Sequence, residues 1–109
     1  MPHFNLDEIE VKTNIRGVST KTIVDHEHAT IKNLLLNPGD SIPPHQVPVN
    51  VTFFILDGQG SITLGNDTHP VKKGDIVLCS PNVSMSVQAD DNHSLSFLNI
   101  KTPGLNPSK

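Results

Sequence analysis

Short runs of apolar and β-branched residues recur along the chain, each bounded by glycine, proline, asparagine or aspartate. Such runs, repeated at intervals of roughly 8–12 residues, are typical of an all-β sandwich or barrel. The pattern therefore predicts about eight or nine short strands and no convincing helix. The predicted strands cover residues 20–25, 29–36, 49–56, 61–64, 68–71, 76–79, 83–88 and 94–100.

The strongest strand signal is VNVTFFIL at residues 49–56, which ends at Asp57-Gly58-Gln59-Gly60. The two glycines favour a tight turn, so we predict a hairpin between residues 49–56 and 61–64. If residues 49–56 lay at a sheet edge, their unpaired backbone would invite another chain, which predicts a homodimer. Residues 41–48 contain three prolines, and this excludes a central, fully hydrogen-bonded strand there.

Composition supports the all-β class. Val, Ile and Thr together supply 27 residues and Ala supplies 2, so residues that suit strands outnumber the best helix former. A chain of 109 residues has room for one hydrophobic core. We divide it into an N-terminal arm (1–19), a single barrel domain (20–101) and a C-terminal tail (102–109). The arm is either a flexible terminus or a short strand or turn that packs. The tail is expected to be loose or to wrap on a neighbour.

Charge and hydropathy exclude several partners. The net charge is −3 and no basic cluster is present, so we predict no nucleic-acid partner. No apolar run approaches the ~20 residues of a membrane helix, and the first residues lack the layout of a signal peptide. We therefore expect a cytoplasmic protein with no membrane association. The single cysteine, Cys79, fits a reducing compartment, and we interpret it as a buried structural thiol rather than a nucleophile.

Two segments resemble the paired motifs of the cupin superfamily. The first is residues 39–45 (GDSIPPH) running on to residues 53–60 (FFILDGQG), and the second is residues 71–83 (VKKGDIVLCSPNV). The resemblance spans roughly residues 20–101. It implies a double-stranded β-helix, the jelly-roll barrel of cupins, with a central cavity, and it implies a homodimer.

Most of the metal-binding residues implied by that resemblance are missing. Metal-binding cupins usually supply two histidines and a glutamate from the first motif and a histidine from the second. Here the first histidine is His45, but the other three positions fall on Val47, Val51 and Met85. Valine offers no ligand atom, and a thioether suits Cu(I) rather than Fe, Mn or Ni. The usual glycine after the second motif's proline is Asn82, a mild change because Asn tolerates left-handed φ.

The resemblance places His45 at the mouth of the barrel, where its imidazole is either a ligand-facing group or general base, or a structural histidine. The other expected cavity residues are apolar: Val47, Val51, Phe53 and Met85. They either form a pocket for an apolar small molecule or simply fill the core. Substitute metal ligands could come from other histidines, but these are expected on the surface: His26, His28, His69 and His93.

We therefore expect a single-domain cupin without a metal or other cofactor that binds a small molecule in a sensing, storage or scaffolding role. The alternative is an enzyme. It would be either a metal-dependent isomerase, lyase or dioxygenase with an atypical ligand set, or a metal-free catalyst that depends on His45. Cupin epimerases that work without metal pair a histidine base with a tyrosine acid, and this chain has no tyrosine. A third possibility is a structural or protein-interaction module, which a filled cavity would favour.

Overall fold

In the described part of the chain, nine strands form one strongly curled β-sheet whose two halves face each other. The computed structural model describes residues 3–14 and 17–104. A single 3₁₀ turn, Leu6–Glu8, precedes the strands. The strands are β1 (Lys12–Thr13), β2 (Ser19–Asp25), β3 (Thr30–Leu36), β4 (Ser41–His45), β5 (Asn50–Leu64), β6 (Asp67–Lys72), β7 (Ile76–Cys79), β8 (Met85–Ala89) and β9 (Leu95–Thr102). This confirms the predicted all-β class and the cupin-type double-stranded β-helix.

Strand β5 belongs to both halves of the sheet. Its first half pairs with β9 and β7, and this half-sheet continues through β3 and β2 to β1. Its second half pairs with β8 and β6, and this half-sheet ends at β4. One continuous strand therefore joins the two layers that enclose the core.

The predicted hairpin at Gly58 and Gly60 is wrong, because residues 50–64 form one strand that bends without reversing. Gly58 has φ +92°, and a Cβ there would overlap the carbonyl oxygen of Ser94. A Cβ on Gly60 would overlap the carbonyl oxygen of Gln88. The register with β9 also shifts between Ile55 and Asp57. The glycines thus allow neighbouring strands to approach closely at the bend.

Residues 49–56 do not lie at a sheet edge, so the condition for predicting a homodimer from this strand is not met. This segment pairs with β9 on one side and β7 on the other, so its backbone is covered within the same chain. The proline-rich β4 lies at an edge instead, because it pairs with β8 alone among the described strands. This confirms that the prolines exclude a central position. Asn82 adopts φ +65°, the left-handed conformation expected of the residue that replaces a motif glycine.

Alternate residues of β5 build the core. Val51, Phe53 and Ile55 point inward and are at most 1% exposed. The rings of Phe53 and Phe97 pack at a centroid distance of 5.7 Å and an interplanar angle of 52°. Burial of these large apolar side chains is the main favourable contribution to folding. The core consequently lies between the two half-sheets.

The outer face of β5 and β7 is also apolar. Thr52 is paired with Leu78, and Phe54 is paired with Ile76, so these four side chains share one face. Leu78 is 71% exposed and Ile76 is 63% exposed. An apolar patch at this surface is a feature of interaction faces.

The described residues of the N-terminal arm form a short turn and a short strand that pack on the sheet, rather than a flexible terminus. Asn5 and Glu8 form a reciprocal capping box around the 3₁₀ turn. The ammonium of Lys21, on β2, donates a hydrogen bond to the carbonyl of Leu6 at 3.0 Å. In the tail, the amide of Gly104 donates to the carbonyl of Glu27, and residues 105–109 lie outside the described residues. Within the described part of the chain, no helix is long and apolar enough to cross a membrane.

Candidate functional site

A cavity of about 360 Å³ opens between the two half-sheets. This volume lies near the lower end of the range of small-molecule sites. Its apolar wall contains Val18, Leu34, Ile42, Val47, Phe53, Val87 and Phe97. Its polar lining contains Asn14, Thr20, Lys32, His45, Asn99 and Lys101. The cavity thus combines an apolar body with a small set of hydrogen-bonding groups.

Strand register places the polar groups of β3 and β9 side by side. Lys32 is the direct cross-strand partner of Asn99, and Asn99 is in turn the partner of Phe53. Lys101 follows Asn99 by two residues and therefore points to the same inner face. Its ammonium donates to Oδ1 of Asn99 at 2.7 Å. Two half-buried lysines and a buried asparagine are therefore held on neighbouring strands.

The chain before the barrel supplies one lip of the cavity. Thr20, which is 7% exposed, donates its hydroxyl to the carbonyl of Lys12 at 3.2 Å. The amide of Val18 donates to Oδ1 of Asn14 at 3.0 Å. These hydrogen bonds tie β1 to β2 and fix Asn14 at the rim of the cavity.

His45 lies at the end of the edge strand β4, where the register with β8 shifts between Ile42 and His45. Its Nδ1 is 3.1 Å from the carbonyl oxygen of Pro43. A carbonyl can only accept, so Nδ1 carries a proton in this contact. In the neutral ring, Nε2 is then the basic atom. This contact therefore favours the neutral tautomer in which Nε2 can accept a proton or a hydrogen bond.

Three of the five residues expected at the cavity line it: His45, Val47 and Phe53. The other two, Val51 and Met85, are each 1% exposed and belong to the packed core. Part of this residue set therefore lines a pocket, and the other part fills the core. The interior of the barrel is filled around Val51 and Met85 and open beside Phe53.

The donor set of the cavity does not fit a first-row divalent metal. His45 is the only imidazole that lines it, and the lining residues that the structure describes include no carboxylate or thiol. No group of three or more His, Cys, Asp or Glu side chains that could hold a metal ion occurs among residues 3–14 and 17–104. Two ammonium groups would also repel a cation.

The four other histidines considered as substitute ligands are exposed, as expected. His26 and His28 stack in the turn after β2 with a centroid distance of 5.2 Å. His93 contacts the carboxylate of Asp90 at 3.2 Å. His69 lies on β6. None of these four residues lines the cavity.

Cys79 is buried, as predicted, with 4% of its surface exposed. Its thiol contacts the carbonyls of Ser80 at 3.6 Å and Val83 at 3.8 Å. Burial raises the pKa of the thiol above its ordinary value. A protonated thiol is a poor nucleophile and metal ligand. These properties are those of a core residue.

Sequence reasoning missed the two lysines, Asn99 and Thr20. A signal was present, because Asn99 and Lys101 continue the alternation that places Leu95 and Phe97 inward on β9. A polar residue at an inward position is more informative than an exposed apolar one. The pairing of β3 with β9, which brings Lys32 beside Asn99, could not be read from the alternation.

Residues 33–101 match the sequence pattern of the family described as Cupin domain. An uncharacterised protein of Methanocaldococcus jannaschii is 30% identical over 95 residues, which cover 86% of this chain and 82% of that protein. An RmlC-like cupin structure from the same organism has a TM-score of 0.74 at 29% identity and covers 88% of this chain and 89% of its own. A predicted oxalate decarboxylase of Thermotoga maritima has a TM-score of 0.81 at 25% identity, with coverage of 91% and 96%.

Proposed function

This chain belongs to the cupin superfamily, and from that premise we propose that it binds a small molecule in its barrel without metal chemistry, as a sensing or scaffolding protein. The observation that carries this proposal is the lining of the 360 Å³ cavity. Apolar walls with a few convergent polar groups are typical of small-molecule sites. The cavity has that lining, and among its described residues one side chain is of a type that binds first-row metals.

The residues at the usual ligand positions support binding without metal. His45 is retained, whereas Val47 lines the cavity as an apolar group. Val51 and Met85 are occupied in packing the core. The ammonium groups of Lys32 and Lys101 supply positive charge on the same inner surface, where a metal site would need anionic or neutral ligands.

The metal question is tested by elemental analysis of the untagged protein after dialysis against Fe, Mn, Ni and Zn salts. We expect less than about a tenth of an equivalent of any of these metals per chain, because one imidazole holds such ions weakly. His45→Ala and the exposed His69→Ala serve as matched variants. Near one equivalent of metal that is lost in H45A and kept in H69A would contradict the proposal.

The cavity is tested by methyl-detected NMR with a panel of small aromatic and branched aliphatic compounds. We expect shifts at Val18, Val47 and Val87, which line the cavity, and none at the exposed Ile76. Val47→Phe should weaken binding at least tenfold because it fills the cavity. Gln59→Phe, on an exposed position of β5, is the control. Binding that survives V47F would place the site elsewhere.

The His45 tautomer favours a second candidate, a metal-free acid–base enzyme. Since Nδ1 donates to the carbonyl of Pro43, Nε2 is the basic atom of the neutral imidazole. The Thermotoga maritima neighbour carries the name of a predicted decarboxylase, and another neighbour is a polyketide cyclase. The two candidates separate in H45A: an enzyme loses turnover, whereas a binding protein keeps ligand binding with an altered affinity.

A further inference from the structure

We propose that the cavity recognises a small organic carboxylate, with Lys32 and Lys101 binding its anionic group. This inference rests on the proposed small-molecule function and names the ligand class. The carboxylate would lie against β3 and β9, and the hydrocarbon part would lie against Phe53, Val87 and Phe97.

Strand register brings the two lysines together. Thr30 is the direct partner of Lys101, so Lys32, two residues further along β3, lies diagonally across from Lys101 on the same face. Diagonal neighbours of this kind are about 7–8 Å apart at the backbone, within the reach of two lysine side chains. Both ammonium groups can therefore converge on one carboxylate, which offers two oxygens and about four acceptor positions.

The charge balance of the cavity favours an anion. The cavity-lining residues described here hold two lysines and a histidine and no Asp or Glu. The whole chain has a net charge of −3, so this positive surface is local and runs against the overall charge. A bound anion would reduce the repulsion between the two ammonium groups.

Asn99 sets the orientation of one ammonium. Its Oδ1 accepts from the ammonium of Lys101 at 2.7 Å, and Asn99 is 6% exposed. A lysine ammonium has three donor hydrogens, so it can hold Asn99 and a carboxylate oxygen at the same time. The amide of Asn99 thus holds the ammonium of Lys101 on the inner surface of the barrel, next to Lys32, the cross-strand partner of Asn99.

The opposite wall selects an organic anion over an inorganic one. Ile42, Val47 and Val87 offer no hydrogen bond to the outer oxygens of phosphate or sulfate. Leaving those oxygens unpaired in an apolar site is costly. A carboxylate places its oxygens at one end and apolar surface at the other, which matches the distribution of the lining.

The test uses benzoate, benzamide, benzylamine and inorganic phosphate as probes, measured by calorimetry and methyl-detected NMR. These organic probes have similar size and differ in charge. We expect benzoate to bind at least tenfold more tightly than benzamide, with no detectable binding of benzylamine or phosphate. Equal affinity for benzoate and benzamide would overturn the carboxylate inference and leave the small-molecule function standing. Tighter binding of phosphate than of benzoate would also overturn it. If no organic probe binds, both proposals fail.

Two variants assign the preference to the lysines. Lys32→Met and Lys101→Met keep the aliphatic stem and remove the charge, and each should reduce the benzoate-to-benzamide ratio about tenfold. Lys73→Met, in the exposed turn after β6, is the matched control and should leave the ratio unchanged. If a methionine variant does not fold by circular dichroism, Lys32→Arg replaces it and should keep the preference. An unchanged ratio in both folded methionine variants, or loss of the preference in K32R, would overturn the assignment.

Discussion

Lys32 and Asn99 are direct cross-strand partners on the inner surface of the barrel, where apolar pairs would be expected in a filled jelly roll. The pair lies beside Phe53, so a charged group, an amide and an aromatic ring form one row across three strands. Polar residues at inward positions are usually retained where they are hydrogen-bonded or functional. The row therefore marks the part of the barrel in which we propose that the ligand is bound.

The row predicts the effect of a new carboxylate. Asn99→Asp would place a negative charge beside two ammonium groups, which lower the pKa of the new carboxyl below its unfolded value of about 3.9. A depressed folded pKa adds stability above the unfolded pKa, and this stability is lost as the pH falls through the folded pKa. As the pH rises from 3 to 7, we expect the free energy of unfolding of N99D to increase by about 1–2 kcal/mol relative to that of the wild type.

Chemical denaturation at several pH values measures this difference. Asn92→Asp, in an exposed turn, is the control and should show no such gain. The same substitution should abolish benzoate binding, because the internal carboxylate competes for both ammonium groups. A pH-independent difference between N99D and wild type would show that the lysines do not converge on this position.

The bend in β5 predicts different costs for two glycine substitutions. Gly58 and Gly65 both have positive φ, but only Gly58 is also crowded, by the Ser94 carbonyl. Gly58→Ala should destabilise the protein by about 2–4 kcal/mol, through strain and overpacking. Gly65→Ala should cost about 1 kcal/mol, because nothing lies within 4 Å of its added Cβ. Urea unfolding monitored by circular dichroism compares the two variants, and equal costs would mean that the segment at Ser94, just before β9, moves away without cost.

Cys79 predicts a loss of stability in alkali. Burial raises the pKa of its thiol in the folded state. The unfolded chain therefore releases the proton first, and stability falls as the pH rises through the unfolded thiol pKa of about 8.5. Cys79→Val should lack this component, whereas the exposed Ser80→Ala should retain it. Thermal melting between pH 7 and pH 10 measures the difference, and parallel profiles for wild type and C79V would contradict it.

The outer face of β5 and β7 supports self-association, and we propose that it forms the contact between two copies. Ile76 and Leu78 are exposed beside Phe54 and Thr52 on the outer surface of the sheet. Light scattering at micromolar concentration should give the mass of a dimer, and the double variant Ile76→Ser, Leu78→Ser should give a monomer. Val11→Ser, on an exposed residue of the N-terminal arm, is the control. A monomeric wild type would exclude this contact.

Most of the strand set could be predicted because turn residues separate the strands so regularly. The segment Ile76–Cys79 agrees with the structure at both ends. The β5 bend could not be predicted, because Asp57-Gly58-Gln59-Gly60 has the composition of a hairpin turn. What decides between a turn and a bend is the approach of Ser94 and Gln88, which are far along the chain. Local sequence favours a glycine in both cases.

The candidate site was predictable only in part, because it too depends on contacts between residues far apart along the chain. Resemblance to a family located His45, Val47 and Phe53, because they lie within its first motif. The lysines lie on β3 and β9, outside both motifs, and their proximity depends on which strands pair. Alternation along one strand gives the face of a residue but not its neighbour.

The segment that carries the family signature and the segment that forms the cavity are not the same. Residues 33–101 match the cupin pattern, so Lys32 lies one position before it, and Asn14 and Thr20 lie further upstream. A protein trimmed to residues 33–101 would keep Lys101 and Asn99. It would lose Lys32, the cross-strand partner of Asn99, and also Asn14 and Thr20 from the lining of the cavity. The cavity of this protein therefore begins in its N-terminal arm, and relatives that share only residues 33–101 need not share the lining of that cavity.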